Sequence, residues 1–286
     1  MSPANKSCAV IKRMSLSHTL LFIGIIIGFI AAYLPVAIQL VHAWATSDDY
    51  SHGFFIIPIA LYITWQKRKK LAAIRIEPSW LGCPLIIFSL AVYVLSYYAG
   101  VQTVCSLTIG PLWAGIVLFL FGWPMLRALL FPLLLLVFMV PVPSQLYSSL
   151  TVPLQIIVTK ISVSLATAMG VPIFSEGNVI HLPERTLEVA EACSGLRSLV
   201  TLLVLSFVFG YFTLRSNVLR SVLFVSAIPI AIVVNVARVL VIVISFHFLN
   251  FDLTEGNVHA WFGLAIFLLA LAIILLEKGI LSIWSR

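Results

Sequence analysis

The sequence predicts an all-α, polytopic integral membrane protein with about eight transmembrane helices, a small external hairpin and one interfacial helix. Two observations carry that class. Hydrophobic residues make up 62% of the 286 positions and charged residues only 9%, against roughly 25% charged in a soluble domain. The basic residues also gather at the ends of long apolar runs, where they set orientation. The net charge of +7 is therefore a topology signal and gives no support to nucleic-acid binding. Cys8, Cys83, Cys105 and Cys193 are scattered, with no CxxC pair, so neither a disulfide framework nor a zinc site is expected.

The elements follow in order. A basic tail (1–17, with Lys6, Lys12 and Arg13) precedes an apolar stretch at about 18–41. That stretch exceeds the ~7–15-residue core of a cleaved signal peptide, so it reads as an uncleaved anchor. The remaining residues, 18–286, form a single transmembrane domain. A second span at about 52–66 ends at Lys67-Arg68-Lys69-Lys70, a strong cytoplasmic marker. Further spans are read at about 80–98, 102–122 and 125–143, the last beginning near Arg127 and closing on Pro141-Val142-Pro143. An external loop, 144–192, follows. Within it, 149–169 holds Pro153 and Lys160, and Gln155, Thr159 and Ser162 share one helical face. This is the pattern of an amphipathic helix in the interface. Short alternating runs at 178–182 and 186–190 flank Pro183-Glu184-Arg185 and predict a β-hairpin. Spans at about 194–213, 219–246 and 258–277 complete the chain. An eight-span count leaves both termini, Arg215 and Arg220 cytoplasmic and the acidic hairpin outside, as the positive-inside rule favours.

Three chemistry-bearing residues converge on the external level. Cys193 falls in the first turn of a predicted membrane helix, where free backbone N–H groups and the helix dipole favour a thiolate. Arg197, one turn on, adds positive charge, and Glu191 and Ser194 flank the thiol. Arg238 lies inside an apolar run, where an arginine costs roughly 2.5–3.5 kcal/mol at mid-bilayer on insertion scales and needs a protein partner. Measured from Arg220 it is about 27 Å along its helix, near the external end, with Asn235 on the same face. His259 opens the last span after the polar loop 250–258. Metal and nucleotide motifs are lacking, and no cofactor is expected.

These pieces carry a family resemblance. Ala192-Cys193-Ser194-Gly195-Leu196-Arg197, Asn235-Val236-Ala237-Arg238 and His259 before Ala260-Trp261-Phe262-Gly263 resemble the exosortases and archaeosortases. So do Tyr50-Ser51-His52-Gly53 with Pro58, and the hairpin Gly177-Asn178 to Leu187-Glu188-Val189. The resemblance runs from about residue 50 to 263. It implies a bacterial inner-membrane cysteine transpeptidase acting at the periplasmic face on membrane-anchored proteins with C-terminal Pro-Glu-Pro-type sorting signals. Cys193 would be the nucleophile, Arg238 the oxyanion or thiolate partner and His259 the proton carrier. Arg197, Asn235, Glu191 and Ser194 would be supports, and His52 and Tyr50 would face substrate. Because the chain stops soon after the last span, the extra C-terminal domain of some relatives is not expected.

Other readings remain open at this level. Arg238 and His259 would equally suit a transporter pathway, although no internal repeat is evident. A non-catalytic component of an exopolysaccharide export or assembly complex would leave Cys193 dispensable. A serine variant would make Ser194 the nucleophile. For single residues, packing, a helix–helix hydrogen bond or an interfacial anchor are the plain alternatives. The oligomeric state is not encoded in any pattern noted here.

Overall fold

In a computed structural model of the chain, residues 16–183, 185–189 and 195–284 are described. Helix α1 (Leu16–Thr46) leads through a 3-10 turn, Asp48–Tyr50, into α2 (Gly53–Gln66) and the short basic α3 (Arg68–Ala72). Then come α4 (Gly82–Tyr98), α5 (Gln102–Leu107), α6 (Ile109–Phe121) and α7 (Trp123–Leu135), the last running into a 3-10 turn at Leu136–Met139. Helix α8 (Ser144–Ala168) precedes strands β1 (Phe174–Glu176), β2 (Val179–His181) and β3 (Thr186–Glu188). Helices α9 (Gly195–Thr213), α10 (Asn217–Leu249) and α11 (Gly256–Trp284) close the fold. Among the described residues, five helical stretches are long and apolar enough to cross a membrane: 27–46, 102–121, 144–168, 217–249 and 256–284. Shorter apolar helices add 82–98, 123–139 and 197–213. The fold is thus that of an all-α polytopic membrane protein. Exposed Leu, Ile, Val and Phe cover its helices, as a lipid-facing surface requires.

Two groups of helices share the interior. Tyr33, Trp44, Ile56, Ile63, Leu112 and Leu135 join α1, α2, α6 and α7 in one core. Leu202, Leu223, Ala227, Ala231 and Ile274 join α9, α10 and α11 in another. Val204 and Val208 of α9 reach back into the first. In the first core a polar pair satisfies itself, as an apolar surrounding favours: the Tyr33 hydroxyl and Thr108 Oγ1 lie 2.9 Å apart. Thr108 sits at the break between α5 and α6, so the span expected at 102–122 is two helices.

Near the top of α1, Trp44 Nε1 donates to the Met139 carbonyl at 2.8 Å. A Cβ at Gly53 would collide with that indole, which explains the glycine after His52. Helix α7 begins from Gly122, at φ 84° against the Glu77 carbonyl, where only glycine fits.

Two expectations need correction. The polar face of the 149–169 segment does not meet water. Thr159 and Ser162 are fully buried, and Ser162 Oγ donates to the Val236 carbonyl of α10 at 3.4 Å. The outward positions are instead Ile157, Ile161 and Leu165. In lipid the solvent is apolar, so the polar stripe turns inward to find hydrogen-bond partners. The expected hairpin is also one strand larger. Three antiparallel strands pair in the order β1-β2-β3, with Ser175 opposite Ile180 and Ile180 opposite Leu187. Gly177, at φ 63°, makes the first turn.

Both ends of α8 stay on the half of the bundle that carries Arg238. Tyr147, in its first turn, donates to Asp49 Oδ2 at 2.9 Å, and Asp49 accepts from Arg197 Nε at 3.1 Å. At its other end, Ala166 and Val171 pack with Val239, Ile242 and Val243 of α10 and with the sheet. Lys67 and Arg220 lie at the opposite end of the bundle, where α2 ends and α10 begins.

Candidate active site

The site is built around one buried cation. Arg238 is 6% exposed, on a helix whose neighbouring positions Val234, Val236, Val239 and Ile242 are buried apolar residues. Its Nη2 lies 3.3 Å from Nε2 of His259 on α11. The other imidazole nitrogen, Nδ1, lies 3.2 Å from the Leu253 carbonyl. A carbonyl only accepts, so Nδ1 carries the proton there and Nε2 accepts from the guanidinium. Arg238 Nε is buried and has no hydrogen-bond partner among the described residues. Gly263, one turn beyond His259, leaves the guanidinium its room: a Cβ there would come within 3.3 Å of Nη2. Asn235 is half-buried and, with Ser198 and Phe267, lines a small gap next to Arg238 between α9, α10 and α11.

The loop that presents His259 is itself fixed. Asn250 takes a left-handed conformation, φ 48°, and ends α10. Phe251 N then donates to the Ser245 carbonyl, and Ser245 Oγ donates to the Phe251 carbonyl. Asp252 accepts from the Thr254 backbone N–H at 2.7 Å and from its hydroxyl at 2.6 Å, and it pairs with Arg185 beside β3. Burial alone would raise the Asp252 pKa, but the Thr254 and Arg185 donors outweigh it and hold the carboxyl below its ordinary value. Arg185 also donates to Thr254 Oγ1 at 3.1 Å and stacks over Phe246. The sheet therefore clamps the loop whose Leu253 carbonyl orients His259. Neither Arg185 nor Asp252 stood out as a site residue in the sequence. The only signal was a basic residue in a turn and an acidic one in a polar loop.

The external loop after α1 forms a second network. Arg197 Nε donates to Asp49 Oδ1 at 3.1 Å and Nη2 lies 3.4 Å from Asp48 Oδ2. Its charge is thus shared by two carboxylates. Tyr50 donates to the Val142 carbonyl at 3.1 Å, and burial raises its pKa. His52 Nε2 donates to the Phe138 carbonyl at 3.0 Å, with burial holding the ring below its ordinary pKa. Both side chains brace the turn before α2 onto the segment linking α7 to α8. Asp48 and Asp49 were missed as site residues, although an acidic pair beside Tyr50-Ser51-His52 was there to be weighed.

Arg238 and His259 are thus brought into contact, with Asn235 beside them. Arg197 anchors the start of α9 to the Asp48–Asp49 turn. Glu191, Cys193 and Ser194 lie outside the described residues. A family profile of transmembrane exosortases matches residues 44–276, which takes in every described residue of both networks. The chain belongs to the transmembrane exosortase family. No curated protein and no solved structure matches this exosortase. Among the described residues of the exosortase, no group of His, Cys, Asp and Glu is placed to hold a metal ion.

Proposed function

We propose that the exosortase is a membrane cysteine transpeptidase acting on C-terminal sorting signals of membrane-anchored proteins. Cys193 attacks the scissile carbonyl, Arg238 stabilises the oxyanion and His259 moves the protons. The observation that supports this most is the buried Arg238 guanidinium, held on one side by His259 and left with an N–H that has no partner among the described residues. A buried donor without a partner costs about 1–3 kcal/mol, and an arriving oxyanion would recover it.

The chemistry follows from those positions. The Cys193 thiolate adds to the carbonyl carbon, and the electron pair moves onto oxygen facing Arg238. Collapse of that intermediate breaks the C–N bond, and His259, carrying the proton taken from the thiol, gives it to the leaving amine. The thioester left on Cys193 is then opened by an acceptor amine, whose proton returns through His259. The Leu253 carbonyl holds the imidazole in the tautomer whose Nε2 is an acceptor, and that nitrogen takes the proton as it gives up its hydrogen bond from Arg238. The site would face the periplasm, on the side opposite the Lys67 and Arg220 end.

The test is processing in cells of a membrane-anchored reporter carrying a C-terminal sorting signal. Cys193→Ala is expected to abolish cleavage at normal membrane levels, with Ser194→Ala active. Arg238→Lys is expected to slow it about 10²–10³-fold, the usual loss for an oxyanion donor. Processing by Cys193→Ala would overturn the nucleophile and favour a non-catalytic or transport role.

A further inference from the structure

At the end of the bundle away from Arg238, a groove of about 420 Å³ opens between the end of α2, the start of α7, the end of α9 and the start of α10. We propose that it binds the phosphodiester headgroup of an anionic glycerophospholipid. Three cations line its mouth: Lys67, Arg127 and Arg220. Among the described residues, no carboxylate lines it. Two of the three are pinned by neutral acceptors. Lys67 Nζ donates to the Ala128 carbonyl at 2.6 Å and sits 5.0 Å from the Tyr211 ring centroid. Arg220 donates to the Leu214 carbonyl at 2.9 Å, to the Tyr211 carbonyl at 3.4 Å and to Asn217 Oδ1 at 3.0 Å, and it too lies over Tyr211.

These contacts hold the cations in place without neutralising them, and each keeps N–H groups to spare. Arg127 makes no hydrogen bond, ion pair or ring contact with any described residue. A concave site with charges of one sign and apolar walls concentrates anions, and basic pockets between membrane helices suit lipid phosphates. The lining then turns apolar. Leu130 and Leu134 follow Arg127 by one and two turns along α7, facing Phe207 and Phe224. A phosphate with acyl chains fills both halves of such a groove; a free phosphate fills one.

The experiment is native mass spectrometry of the full-length protein released from detergent after exchange with dioleoylphosphatidylglycerol or dioleoylphosphatidylcholine. Wild type is expected to retain phosphatidylglycerol and to shed phosphatidylcholine. Arg127→Gln should cut retention several-fold, and because Arg127 makes no hydrogen bond, ion pair or ring contact with a described residue its loss should leave folding intact. Arg215→Gln, an exposed cation at the same end outside the groove, should retain the lipid as wild type does. Equal losses in Arg127→Gln and Arg215→Gln would overturn the site in favour of diffuse charge attraction, as would equal retention of both lipids. Inorganic phosphate that displaces phosphatidylglycerol stoichiometrically would overturn the lipid and leave a plain anion site.

Discussion

At the scale of single residues, the site turns on how closely Arg238 and His259 approach. Their 3.3 Å contact depends on an acceptor at Nε2, and the Leu253 carbonyl enforces that by taking the proton on Nδ1. It depends as well on the absence of a side chain at Gly263. A graded series tests this. Gly263→Ala asks the guanidinium to shift by a few tenths of an ångström and should keep most reporter processing. Gly263→Leu fills the space Arg238 occupies and should lower processing at least about tenfold, roughly 1.4 kcal/mol of transition-state stabilisation. Western analysis of membrane fractions separates that loss from misfolding. The glycine was visible in the sequence only as a letter in a resemblance. Its reason is a contact across two helices, 25 positions apart, that no local pattern encodes.

Among the elements, the small sheet has a mechanical part. Arg185 beside β3 grips Asp252, and the loop so held carries the carbonyl that orients His259. Because the Asp252 pKa is lowered in the folded protein, the group stabilises the fold above the ordinary aspartate value. That stabilisation is lost as pH falls through the lowered one. Hydrogen exchange at residues 250–255 should therefore stay slow at neutral pH and quicken as the pH drops below the ordinary carboxylate range. Asp252→Asn should show fast exchange at both. Unchanged protection across that range would remove the clamp from the account. The sequence did show a hairpin here, since alternation and a Pro-containing turn are local signals. It missed β1, which lies outside the alternating runs at 178–182 and 186–190.

For the molecule as a whole, the arrangement of charge makes a topological prediction. Lys67, Arg127, Arg215 and Arg220 gather at one end, and the sheet with Asp48, Asp49 and Asp252 at the other. In a variant freed of its native cysteines, single cysteines at Glu176 and Arg215 are expected to react with a membrane-impermeant maleimide from opposite faces. Gln145→Cys and Met169→Cys, at the two ends of α8, should react from the same face. Labelling from opposite faces would mean that α8 crosses, and it would reverse the orientation of everything after it. Helix α8 has the length and hydropathy to span. Its placement comes from contacts, Tyr147 to Asp49 at one end and Val171 among Val239, Ile242 and Val243 at the other.

The sequence by itself determined the class of the protein, most helix positions and the basic and acidic ends. Composition, hydropathy and charge at helix ends are local quantities, summed along the chain, and they need no partner to be read. Only the tertiary structure decided which way each polar side chain turns. It sent Arg197 to Asp48 and Asp49, buried the polar face of α8 against α10, and set Arg185 on Asp252 so that Leu253 could aim His259 at Arg238. Those choices belong to pairs far apart in the chain. A polar group in an apolar solvent takes whichever partner the packed helices bring within reach.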